Sequence, residues 1–128
     1  MRENISSGSP WEEIVGYSRV VRVGNFIEVA GTTAMDGDTI IGKNDIYAQA
    51  CFIFKKIELA LQKAGATLNN VVRTRMYVTD INRWEEVAKA HAEFFKTIKP
   101  VATMVQVSRL IKDDLLIEIE ATALLDIN

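Results

Sequence analysis

Histidine, cysteine and proline are scarce in this chain, which has one His, one Cys and two Pro among 128 residues. The lone cysteine, Cys51, excludes an internal disulfide and fits a reducing compartment better than a secreted one. With His91 the single imidazole, a zinc site within one chain would rest mainly on carboxylates, an uncommon donor set for that metal. No apolar run approaches the roughly 20 residues needed to span a bilayer. The start, MRENISSGSPWEE, has neither the basic opening nor the apolar stretch of a signal peptide, so the protein is read as cytoplasmic. An excess of one charge sign is missing too: 15 Lys plus Arg face 17 Asp plus Glu, a net charge of -2 that draws in neither nucleic acid nor an anionic membrane. GxGxxG, P-loop, HExxH and G-x-S-x-G motifs are all absent, which removes the nucleotide, zinc-protease and serine-hydrolase chemistries they carry.

What remains is an ordinary globular composition, 48% hydrophobic and 25% charged, of a length that suits one domain over residues 1–128. YSRVVRV and FIEVAG flank Gly24-Asn25, a pair suited to a tight hairpin turn. TAMDGDTIIGK reads as a loop with a short strand at 39–41. From Asn44 the period changes: Ile46, Ala50, Ile53, Phe54, Ile57, Leu61 and Ala64 share a helical face, with Asn44 as N-cap and Gly65 as the stop. VVRTRMYVTD alternates, setting Val72, Thr74, Met76 and Val78 against Arg73, Arg75 and Tyr77. NRWE resembles a capping box opened by Asn82, before a helix whose stripe runs through Trp84, Val87, Ala88, His91, Phe94 and Phe95. KPVATMVQV and DLLIEIEATALL read as strands. The order β-β-α-β-α-β-β predicts an α+β layer with two helices on one face of a mixed sheet. The other face, rich in apolar and small residues, is expected to pack on a second subunit.

Candidate chemistry is sparse. On its apolar stripe, His91 reads first as a partly buried, hydrogen-bonded histidine, and Cys51 within AQACFIF as an inert thiol. Glu118 and Glu120 in LIEIEATA fall on one strand face, where desolvation would raise a carboxylate toward the general-base range unless Arg73 or Arg75 pairs with it. Arg19, Arg22, Arg73 and Arg75 are strand guanidiniums of the kind that clamps a carboxylate.

Taken together, GYSRVVRVGNFIEVAGT, ALQKAGATLNNVVRTRMYVTDI, AHAEFF and PVATMVQVSRL followed by IEIEATA resemble the RidA/YjgF family, in order and with few gaps from Tyr17 to Ala123. The resemblance implies a chorismate-mutase-like α+β fold and a homotrimer with clefts between subunits. It also implies a cofactor-free hydrolysis of enamines and imines to a 2-oxo acid and ammonia. In the deaminases of that family the strand pattern P-x-R-[ST]-x-V-x-V carries the Arg that binds the substrate carboxylate; here Ala102 holds that place. Tyr17 matches the Tyr that lines the cleft, Gly31 the glycine after the second strand, and Glu118 the Glu that orients the attacking water. Thr103 is matched to a ligand hydrogen bond and Met104 to a main-chain carbonyl that assists the water. An Asn of many deaminases becomes Ala88, and the family's RLPKD becomes RLIKDD, in a hairpin with an altered turn before the last strand. Arg19 and Arg75 are the candidates to replace the missing clamp. On this reading Val101, Val105 and Val107 pack inward while residues 102–104 border a cleft.

Two readings stay open: a trimer that binds, and hydrolyses, a small carbonyl or enamine/imine metabolite, or a non-enzymatic regulatory trimer whose cleft is vestigial. No metal, cofactor, nucleic acid or membrane is implied by either. The ribonuclease activity attached to some relatives is disfavoured by the acidic balance and the lack of an aromatic-basic stripe.

Overall fold

The structure, a computed structural model, describes residues 1–126. Strands β1 (Arg2–Ile5), β2 (Val20–Val23), β3 (Phe26–Thr32), β6 (Val71–Val78), β7 (Val101–Gln106) and β8 (Ile117–Leu124) form one sheet in the order β1-β2-β3-β8-β6-β7. Helices α2 (Ile46–Lys63) and α3 (Trp84–Phe95) follow β3 and β6. Every neighbouring pair is antiparallel except β6 and β7. The fold is therefore the expected α+β layer with a mixed sheet. It also has three pieces that the sequence pattern did not announce: β1, the short helix α1 (Pro10–Val15), and a hairpin of β4 (Met35–Asp36) and β5 (Thr39–Ile40) where a loop with one short strand was expected.

The core lies between the sheet and the two helices. Ile46, Ala50, Ile53, Phe54, Ile57 and Leu61 recur at three- and four-residue spacing and are all buried. Each large aliphatic or aromatic side chain among them contributes roughly 1.5–3 kcal/mol by leaving water. From the sheet, Ile27, Val29, Val78, Ile117, Ile119 and Ala121 complete this layer. Gly24 supplies the positive φ, 59°, of the β2–β3 turn. No helix among the described residues is long and apolar enough to cross a membrane.

Several local expectations are corrected. Asp45, not Asn44, caps α2, its side chain accepting from the Ala48 amide at 3.0 Å, while Asn44 takes a positive φ of 62°. Asn82 opens no capping box. Asp80 caps a 3₁₀ turn at Ile81–Arg83, which then runs directly into α3. Trp84 leaves the buried stripe and is 51% exposed. A bulge between Val71 and Arg73 gives the buried place to Val71, leaving Val72 exposed.

β7 and β8 do not form a hairpin, since both pair with β6 and lie on either side of it. Val101 and Val105 do not pack inward: the parallel register sets Val101, Thr103 and Val105 opposite Arg73, Arg75 and Tyr77, on the sheet face away from the helices. Their exposures are 57% and 43%. That open face also exposes Val23, Phe26 and Leu124, which neighbour one another across three strands. Between these apolar groups lie Glu118, Glu120, Arg73 and Arg75, so the face is more polar than its composition implied.

Candidate functional site

The site is built on the open face where β3 breaks register. Between Val29 and Thr32 this strand carries one residue more than β8 does between Ala121 and Ile119, so Ala30 and Gly31 together oppose Glu120. The bulge turns the Gly31 carbonyl toward Arg19, whose Nη1 donates to it at 2.9 Å and to Thr32 Oγ1 at 3.1 Å. Thr32 Oγ1 in turn donates to the Ala30 carbonyl at 2.8 Å, which fixes the bulge from within. The Arg19 guanidinium lies 5.8 Å from the centre of the Tyr17 ring.

Gly31 makes room for one group. A Cβ at this position would stand 2.1 Å from Glu118 Oε2, so the carboxylate occupies the space that any larger residue would take. Glu118 lines an open depression of about 320 Å³ with Gly31, Tyr77, Arg109 and Glu120. Burial raises its pKa above the ordinary carboxylate range; the neighbouring Glu120 adds to this and Arg19 opposes it. Glu118 has no hydrogen-bond partner or ion pair among the described residues, yet it is not a buried unsatisfied group, so its oxygens stay open to the depression. Neither expected ion pair with Arg73 or Arg75 forms. Tyr77, directly opposite Glu118 in register, donates its hydroxyl diagonally to Glu120 instead.

The second group of expected residues lies elsewhere. Ala102, Thr103 and Met104 line a groove of about 420 Å³ between β7 and α3, with Ala88 and His91 on the helix side. His91 Nε2 is 2.9 Å from Thr74 Oγ1, and burial pushes the imidazole pKa down, in keeping with a structural, neutral histidine. The Thr103 hydroxyl accepts from Arg73 Nη1 at 3.2 Å. Lys96 and Lys99 also line the groove, and nothing in the sequence pattern had marked them.

The depression and the groove share no residue. One chain thus brings Tyr17, Arg19, Gly31 and Glu118 together and holds residues 102–104 apart from them. Arg75 lines neither hollow. It stands between them, opposite Glu120 on one side and Thr103 on the other. The Tyr77 hydroxyl on Glu120 was also missed, because it depends on the β6–β8 register.

The sequence profile of the family described as Endoribonuclease L-PSP matches residues 9–125. The chain belongs to the RidA/YjgF family. Among RidA/YjgF structures, Rv2704 of Mycobacterium tuberculosis, described as a member of the YjgF/YER057c/UK114 family, is 53% identical. The match covers 98% of this chain and 100% of that one, with a TM-score of 0.89. The Rid family protein YyfA of Yersinia pestis is 30% identical over 98% of this chain and all of its own, with a TM-score of 0.85. A RutC family protein of Pyrococcus abyssi is 43% identical over 108 residues, 84% of each chain.

Proposed function

We propose that the chain works as a homotrimer whose clefts, each combining the Glu118 depression of one subunit with the residue 102–104 groove of the next, bind and hydrolyse small carbonyl or enamine/imine metabolites. The observation that carries this is Glu118: a half-buried, unpaired carboxylate seated over Gly31 and open to a hollow that its own chain leaves half built. The exposed Val23, Phe26, Leu124, Val101 and Val105 support an assembly that covers the open face.

In this reading Glu118 accepts a proton from water as the water oxygen adds to the C=N carbon. Glu118 passes that proton to nitrogen to give a carbinolamine, then carries the new hydroxyl's proton to nitrogen as the C–N bond breaks, so that a carbonyl compound and ammonia leave. Tyr17 lines the cleft beside Arg19, and the main-chain carbonyl of Met104 on the edge strand β7 is the second acceptor for the water. No cofactor takes part in this scheme. Ala102 offers no guanidinium, and a buried Arg-to-carboxylate contact is worth about 2–5 kcal/mol, a factor of roughly 30 to several thousand in binding. Rapid turnover of 2-imino acids is therefore not expected.

Ammonia release from 2-iminopropionate made in situ tests this, with Glu118→Gln as control and an Arg-bearing relative as reference. The wild type should exceed the control and fall well below the relative. A rate equal to the relative's refutes the role given to Ala102. A wild type no faster than Glu118→Gln, with no stabilisation by carbonyl compounds in a thermal-shift screen, leaves the regulatory trimer as the surviving reading.

A further inference from the structure

Arg19 grips the bulge with both its main chain and its side chain. The β2–β3 ladder pairs Val20 with Val29, and one step further back the Ala30 amide donates to the Arg19 carbonyl at 3.0 Å. Past that bond β3 carries its extra residue, and the Arg19 side chain follows it, with Nη1 on the Gly31 carbonyl and on Thr32 Oγ1. Three successive residues, Ala30, Gly31 and Thr32, are thus tied to one. The chain beyond them is held from the helix side, where Lys56 Nζ donates to the Thr33 carbonyl at 3.0 Å and to the Met35 carbonyl at 2.9 Å. The backbone under Glu118 is therefore pinned by two cations, whose hydrogen bonds are stronger than those of neutral donors.

The charge of Arg19 has a second use. It forms no ion pair among the described residues, so no carboxylate cancels it at contact. It reaches Glu12 on α1, which the Ser7 amide and hydroxyl already satisfy, and Glu118, which has no such partner. The other titratable or charged groups around Glu118 are Glu120 beside it on β8, Tyr77 and Arg75 on β6, and Arg109 at the depression. Burial and Glu120 favour the protonated form of Glu118, and Arg19 is the cation that opposes them.

We infer that Arg19 is a positioning residue: through the Gly31 peptide it fixes the place of the Glu118 carboxylate, and its charge keeps that carboxylate ionised to take a proton from water. This rests on the hydrolytic reading of Glu118 above, and it assigns Arg19 to the carboxylate of its own chain rather than to an anionic ligand.

Arg19→Gln and Arg19→Lys, compared with the wild type for 2-iminopropionate hydrolysis across the acid-to-neutral range and for carbon NMR titration of the Glu118 carboxyl, test the assignment. Gln removes the charge, whereas Lys keeps it without the planar guanidinium. Arg19 is half-buried and unpaired, so both variants should fold, which circular dichroism checks. In Arg19→Gln, kcat should fall about tenfold or more with KM near the wild-type value, and the acid limb of kcat and the Glu118 titration should both move to higher pH. Arg19→Lys should return both to the wild-type pH and restore kcat in part. A raised KM at unchanged kcat in Arg19→Gln would make Arg19 a ligand contact and overturn the assignment. A Glu118 titration that stays in place would overturn it too, whatever happens to the rate. Where the Gln variant does not fold, an unchanged kcat in Arg19→Lys overturns the hold on Gly31. A wild type no faster than Glu118→Gln sinks the hydrolytic reading by itself, while the Glu118 titration, which needs no turnover, still decides the link to Arg19.

Discussion

Replacing Gly31 with Ala should separate the stability of this fold from the working of its site. Gly31 is not among the positive-φ glycines, so alanine suits its backbone, and Gly→Ala at such a position stabilises by about 0.4–1 kcal/mol through the unfolded chain. The new Cβ meets Glu118 alone among its nearest atoms, at 2.1 Å from Oε2, 3.1 Å from Cδ and 3.4 Å from Cγ. The clash is with the far end of a flexible side chain. Its relief means moving the carboxylate by more than about 1 Å, and an off-rotamer side chain costs of order 0.5–1.5 kcal/mol. The two effects nearly cancel, so the net change in stability should stay within about 1 kcal/mol, a shift in Tm of less than about 5 °C. A catalytic group misplaced by about 1 Å costs on the order of a hundredfold in rate. Thermal unfolding should therefore be near wild type while ammonia release falls about a hundredfold. The Glu118 carboxyl resonance, followed by carbon NMR, should titrate closer to an ordinary glutamate as the group leaves its half-buried seat. Unchanged titration and turnover would show that Glu118 does not need the space over Gly31. A loss of more than about 3 kcal/mol would show that the carboxylate cannot move aside.

Ala102→Arg should raise 2-iminopropionate turnover by at least about tenfold, because it returns a guanidinium to a wall otherwise intact; no gain would place the block at Ala88 or in segment 107–116. Glu118→Gln should become more stable than wild type as pH rises. With its pKa raised on folding, native Glu118 holds its proton longer than the unfolded chain does, so its ionisation destabilises the native state from the ordinary glutamate value, about 4.3, upward. Urea titrations of both proteins across pH 4–8 check this, and parallel curves would contradict it. His91 has the opposite sign: its pKa is lowered on folding, the unfolded chain binds the extra proton, and stability should fall as pH drops below about 6.5. His91→Gln should flatten that acid limb in the same urea titrations, and an unchanged limb would assign it elsewhere.

The parts of this molecule that follow one-dimensional periodicity were readable before any coordinates. The α2 stripe, the β2–β3 hairpin at Gly24-Asn25 and the shared face of Glu118 and Glu120 each depend only on spacing along the chain. What was unreadable depends on register between distant strands. Val101 and Val105 alternate as well outward as inward, and only pairing with Arg73 and Tyr77 decides which. The same holds for Tyr77 finding Glu120. Gln49 shows a third limit: inside IYAQACFIF it reads as a polar interruption, yet it is fully buried and ties α2 to the approach of β8. Its amide donates to the Gly42 and Asp114 carbonyls and accepts from the Leu116 amide. At the site, family resemblance pointed to the positions, and the Glu118 carboxylate lying where a Cβ of residue 31 would stand supplied the physical reason that one of them is glycine.

The most direct test of a site shared between subunits is complementation. Glu118→Gln removes the carboxylate from one wall, and Ala102→Trp fills the groove on the other, so each variant alone should be inactive. In trimers formed from an equal mixture, roughly a quarter of the clefts combine an intact Glu118 with an intact groove from a different subunit. Ammonia release from the mixture should therefore recover to about a quarter of the wild-type rate. A mixture no more active than either variant by itself, with mixed trimers present by mass, would contradict the account.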